Sequence, residues 1–91
     1  MKGPFEGVCP LCESPVTYLT DDHGNVHRYQ CAVCKKVHVS RRAENLLFNE
    51  FSNRRIELSV ISAALDEEEA LDISYELEDG RLVIKSKVVR I

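Results

Sequence analysis

Cys9-Pro10-Leu11-Cys12 and, eighteen residues on, Cys31-Ala32-Val33-Cys34 are the two most informative segments of this chain. They hold all four of its cysteines. A Cys-x-x-Cys turn aims two sulfurs at one point, and two such turns supply the four tetrahedral donors that zinc prefers. The spacer has room for two strands and a turn, which would bring the two knuckles together. With every position filled by cysteine the site is closed, leaving no coordination position for chemistry, so one structural Zn2+ is expected. Iron fits the same four-sulfur cage by spacing alone. Two disulfides would need an oxidising compartment. A redox pair would need one Cys-x-x-Cys on a βαβ frame, which the chain lacks.

Working outward, Val16-Thr17-Tyr18-Leu19 reads as a strand of β-branched and aromatic residues. Asp21-Asp22-His23-Gly24-Asn25 is a turn cluster in which Gly24 and Asn25 can take positive φ. Val26-His27-Arg28-Tyr29-Gln30 returns, and Val37-His38-Val39 suits a short third strand. The expectation for residues 1–40, with 8–40 as its metal-binding part, is a three-stranded antiparallel zinc ribbon. His23, His27 and His38 are read as surface or supporting residues, because four cysteines already complete the site.

Cys9-Pro10-Leu11-Cys12, the hairpin and Tyr29-Gln30-Cys31-Ala32-Val33-Cys34 together resemble the ribbons of two RNA-polymerase-associated families. These are the N-terminal ribbon of transcription initiation factor B and the C-terminal ribbon of transcript-cleavage factors. Both usually carry Gly after a knuckle's second Cys, where this chain has Glu13 and Lys35. The likeness implies a role beside transcription. The cleavage-factor likeness also implies an acidic pair at the hairpin tip, the place held by Asp21 and Asp22. Ordinary turn chemistry accounts for the same residues, and that reading is preferred.

After Ser40, a candidate N-cap, the period changes from two to 3.6. Ala43, Leu46, Leu47 and Phe51 share one helical face; Ile56, Val60, Ile61, Ala64 and Leu65 form another helical stripe. Ile56, Leu58 and Val60 also alternate as a strand would, so residues 53–65 are open between the two, with helix preferred. Leu71, Ile73, Tyr75 and Leu77 alternate with polar residues, and Asp79-Gly80 is a strong hairpin turn. The fold class expected is α+β: the ribbon, one or two helices (about 41–66) and a C-terminal β-hairpin (71–91). Residues 41–91 are expected to pack on the ribbon.

Composition narrows the function classes. Apolar residues make up 44% of the 91, too many for a disordered tail. No apolar run reaches membrane-spanning length and the first residues lack a signal-peptide core, so a cytoplasmic protein without membrane contact is expected. Residues 1–55 carry eight Lys/Arg against six Asp/Glu, and residues 56–91 four against nine. This is not the strongly basic footprint of most nucleic-acid binders. Arg28, Lys35, Lys36, Arg41, Arg42, Arg54 and Arg55 nevertheless form a basic group that could meet phosphates. The acidic second half suits a protein partner, and the last strand's edge could pair with a second copy to make a homodimer. With no nucleophile–base set, no glycine-rich phosphate loop and no open metal site, an enzyme is not expected. The expected function is that of a small zinc-dependent adaptor making protein contacts, with direct nucleic-acid binding as the alternative.

Overall fold

The computed structural model describes residues 2–91, with Asp22 described by its backbone alone. Its elements run β1 (Lys2–Val8), β2 (Pro15–Asp21), β3 (Val26–Cys31), β4 (Lys35–Ser40), α1 (Arg41–Asn49), α2 (Arg54–Ala63), β5 (Glu69–Glu78) and β6 (Arg81–Arg90). All six strands lie in one mixed sheet whose order is the chain order, β1 to β6. Neighbours are antiparallel except β4 and β5, which pair in parallel through Val37 with Leu71, His38 with Asp72 and Val39 with Ile73. A parallel pair needs a long crossover, and α1 and α2 form it. The expected α+β layout is present.

Local chemistry explains the elements that were readable. Ser40 is extended, and its hydroxyl accepts from the Ala43 amide at 3.2 Å, capping α1. Asp79 and Gly80 both take positive φ, 51° and 76°, as a tight hairpin turn demands. In the Asp21–Asn25 turn the left-handed residues are His23 and Gly24; Asn25 is not one of them. Val37 and Val39 of β4 and Leu71 and Ile73 of β5 face Ala43 and Leu47 of α1 and Leu58 of α2, all buried. Strand alternation sends Lys36, His38 and Asp72 to the opposite face of the sheet.

One expectation is corrected. The ribbon has four strands, because Lys2–Val8 pairs along β2. Gly3, Pro4 and Gly7 hide that strand from propensity. Gly7 is needed there, since a Cβ would sit 2.9 Å from Cε1 of Tyr18. The C-terminal hairpin meets the ribbon within one sheet. It extends the ribbon's sheet edge to edge through β4 and β5.

Residues 54–63 are helical, which settles the choice between helix and strand. The buried side, however, is Leu58 with Ser62. Ile56 and Val60, members of the stripe that the sequence shows, are 75% and 67% exposed. The buried side carries Leu58 with Ser59 and Ser62, a weaker apolar stripe than the solvent side, so the stronger stripe did not identify the core side.

Candidate metal centre

The two knuckles are turns at matching places in the ribbon, one joining β1 to β2 and the other β3 to β4. In the first, the Glu13 amide donates to the Cys9 carbonyl and the Cys9 amide to the Ser14 carbonyl, both at 2.9 Å. The Leu11 amide points at Cys9 Sγ from 3.5 Å. Each knuckle ends on a left-handed residue directly after its second cysteine: Glu13 at φ 62° and Lys35 at φ 63°. This is the position where the resembling ribbons use glycine. The turn geometry therefore persists here without the residue that adopts it most readily.

The four sulfurs lie within 4.8 Å of one another, and Cys12 Sγ is 3.5 Å from Cys31 Sγ. Tetrahedral zinc–thiolate bonds of about 2.3 Å place sulfurs roughly 3.8 Å apart, so the cluster has the size of a one-ion site. No pair is bonded as a disulfide. Cys9 and Cys34 are fully buried, Cys31 nearly so, and only Cys12 is partly exposed. Burial pushes the Cys9 thiol far above its ordinary range and Cys34 to about 11. Cys12 has a smaller desolvation penalty, which its contacts with Ser14, Cys31 and Cys34 outweigh, taking it down to about 6. Buried thiols that resist ionisation become stable thiolates beside a cation. The donor set and its burial fit one metal ion held by Cys9, Cys12, Cys31 and Cys34.

Helix α2 closes the site from one side. Ser59 Oγ lies 3.0 Å from Cys34 Sγ, and the buried Ser62 hydroxyl donates to the Cys34 carbonyl. Arg55 Nε donates to the Pro10 carbonyl at 2.9 Å, and its Nη2 is 3.4 Å from Glu13. Arg55 also lies over the Phe48 ring, 4.5 Å from its centroid. One arginine thus holds the first knuckle while two serines hold the second. The sequence reading missed Ser59 and Ser62. Their signal was a pair of small hydroxyls three residues apart, flanking the Leu58 side of an otherwise apolar helix.

The seven basic residues do not converge on one surface. Besides Arg55, Arg54 pairs with Glu57 at 3.2 Å and reaches the Ile84 carbonyl at 3.5 Å. Lys35 donates to the Leu65 carbonyl, and Lys36 to that of Glu67 at 2.8 Å. Arg28 bonds Asp21 at 3.0 Å. Arg42 lies over Tyr75, and Arg41 is exposed at the start of α1. Arg28 and Lys36 do share a concavity with Thr17, Gln30 and His38 on the sheet face away from the helices. Burial there holds His38 below its ordinary value, with Arg28 adding to the effect.

The histidines stand apart from the sulfurs. His27 Nδ1 meets Tyr29 Oη at 3.1 Å and Glu44 at 3.4 Å, within an aromatic row of Phe5, Tyr18, His27 and Tyr29. Of the acidic pair at the tip, Asp21 is bound to Arg28, while the Asp22 side chain lies outside the described residues. Among the described residues no helix is long and apolar enough to cross a membrane. No family model, curated protein or solved structure matches this chain. What stands is a ribbon-like four-cysteine site on β-strand turns, with one helix locked over it.

Proposed function

We propose that this chain is a non-catalytic binding module organised by one structural zinc ion, which acts as an adaptor by contacting a protein partner, in keeping with a nucleic-acid-processing assembly. Four cysteines complete a tetrahedral shell, which argues for a folding role over a reactive one. Zinc is favoured over iron because it binds such sites without redox chemistry and is the usual occupant of closed four-thiolate knuckles. The observation that carries the protein-contact reading is the state of the basic residues. Arg54, Arg55, Lys35 and Lys36 each donate to a backbone carbonyl of this chain, which draws them away from phosphates.

Direct nucleic-acid binding is the second reading, supported by Arg28, Gln30 and His38 around the open-face concavity, where Lys36 is bonded to the Glu67 carbonyl. Fluorescence anisotropy of the zinc-loaded protein with single- and double-stranded DNA and RNA separates the two. Several phosphate contacts make affinity fall steeply between about 50 and about 200 mM salt. Binding with that slope, lost in Arg28→Glu, overturns the protein-contact reading. No binding at the lower salt supports it.

A further inference from the structure

The solvent face of α2 carries an apolar stripe where a surface helix ordinarily carries charge, with one exposed acid, Glu57, beside it in an ion pair with Arg54. Ile56, Val60 and Ala64 follow one another at four-residue spacing, opposite the buried Leu58 and Ser62. Ile61, 39% exposed, flanks the stripe. An exposed apolar stripe on a helix whose other side is already docked marks a surface for a further partner. The ends of this helix also differ in charge. Arg54 and Arg55 open it, while Asp66, Glu67 and Glu68 lie just past its last turn. Acids at a helix C-terminus are unfavourable when alone, because the helix dipole is negative there.

We infer that α2 is the contact surface of a homodimer, in which a second copy of this chain lays its own α2 antiparallel across the stripe. This rests on the protein-contact reading and names the partner. A twofold axis at Val60 sets Val60 against Val60 and places the bulky Ile56 of each copy opposite the small Ala64 of the other. The same arrangement brings the N-terminus of one helix, where Arg54 stays paired with Glu57, to the Asp66–Glu68 end of its partner. The acids that burden one helix's C-terminus then face the positive N-terminus of the other. A parallel pairing would stack Ile56 on Ile56, leave Ala64 facing Ala64 and set like charges together. Another self-contact, edge pairing through β6, would bring two rows of Arg81, Lys85 and Lys87 side by side. One helix stripe is smaller than the roughly 800 Å² per partner of a standard interface, so the dimer forms and dissociates with concentration.

The test is sedimentation equilibrium of the zinc-loaded full chain, from about 5 to about 500 µM to span a weak association. The monomer is 10.4 kDa, and the mass should rise toward twice that value within the range. Val60→Arg, at an exposed position, should hold the protein at monomer mass with an unchanged circular dichroism spectrum. Ala64→Ile should weaken association at least about tenfold. Adding Ile56→Ala, which restores one large and one small residue at each contact, should recover it. A wild-type chain that stays monomeric throughout overturns the inference and leaves the protein-contact reading standing. A dimer that Val60→Arg does not disturb overturns it as well, and points to the β6 edge.

Discussion

The knuckles and the C-terminal hairpin share one sheet yet are ordered by different means. At the hairpin, β5 and β6 match ten residue pairs from Glu69 with Arg90 to Glu78 with Arg81, closed by the Asp79-Gly80 turn. Its register follows from alternation, and on its apolar side Leu71, Ile73 and Ile84 are buried while Leu77 and Val88 stay exposed. The knuckles are irregular turns whose side chains are thiols and whose last residues, Glu13 and Lys35, take a backbone shape that neither prefers. What the hairpin obtains from apolar burial, the knuckles obtain from four sulfurs meeting at a point and from α2 bonding to their carbonyls. Irregular backbone is therefore tolerated where a metal ion and a docked helix fix it, and regular backbone is needed where only packing does.

Metal removal presses this contrast hardest. A strong chelator should collapse the amide dispersion of the ribbon and of α2 together, because Ser59 and Ser62 rest on Cys34. If the heteronuclear spectrum lost only residues 1–40, the two regions would be energetically separate. Next in size is Ile73→Ala, fully buried in the strand that joins hairpin to ribbon. It should cost about 2–5 kcal/mol in denaturant unfolding of the metal-loaded protein.

Ser62→Ala leaves the Cys34 carbonyl without its buried donor and should cost about 1–3 kcal/mol. Zinc affinity, measured by competition with a chromophoric chelator, should fall in parallel, as it would not for a serine remote from the knuckle. Glu13→Gly should act in the opposite direction. It relieves a left-handed residue, while the ion pair it removes involves a carboxylate 65% exposed and worth little. A gain of about 1 kcal/mol in thermal unfolding is expected.

The smallest effect concerns pH. His38 sits below its ordinary 6.5 because of burial, so the unfolded chain binds more protons in the window just under that value. Its contribution to stability therefore falls as pH drops through 6.5 toward the folded value. Urea titrations with metal in excess should show a shallower pH dependence for His38→Gln.

Much of this was legible in the residues. Four cysteines at fixed spacing, Ser40 before a 3.6-residue period and Asp79-Gly80 between alternating runs are local signals, each with its own chemistry. The parallel join of β4 to β5 was not legible, because it links segments separated by two helices and leaves no mark on either. The inward face of α2 was also hidden. Leu58 and Ser62 make a weaker stripe than Ile56, Val60 and Ala64, and pattern alone ranks the stronger one as core. Arg54 and Arg55 looked like a charged surface. Their lengths let them reach carbonyls of Ile84 and Pro10, a role that composition does not announce.

The agreement between sheet order and chain order carries a kinetic consequence. Each strand's partner is the one made just before or after it, so most pairings close over short loops and incur little loop entropy. The only long closure is the crossover from β4 to β5, and its helices can form by themselves while the ends search. A chain emerging from its N-terminus could lay down the ribbon as soon as residue 40 is free. It would capture its ion, and then present β4 as a ready template for β5.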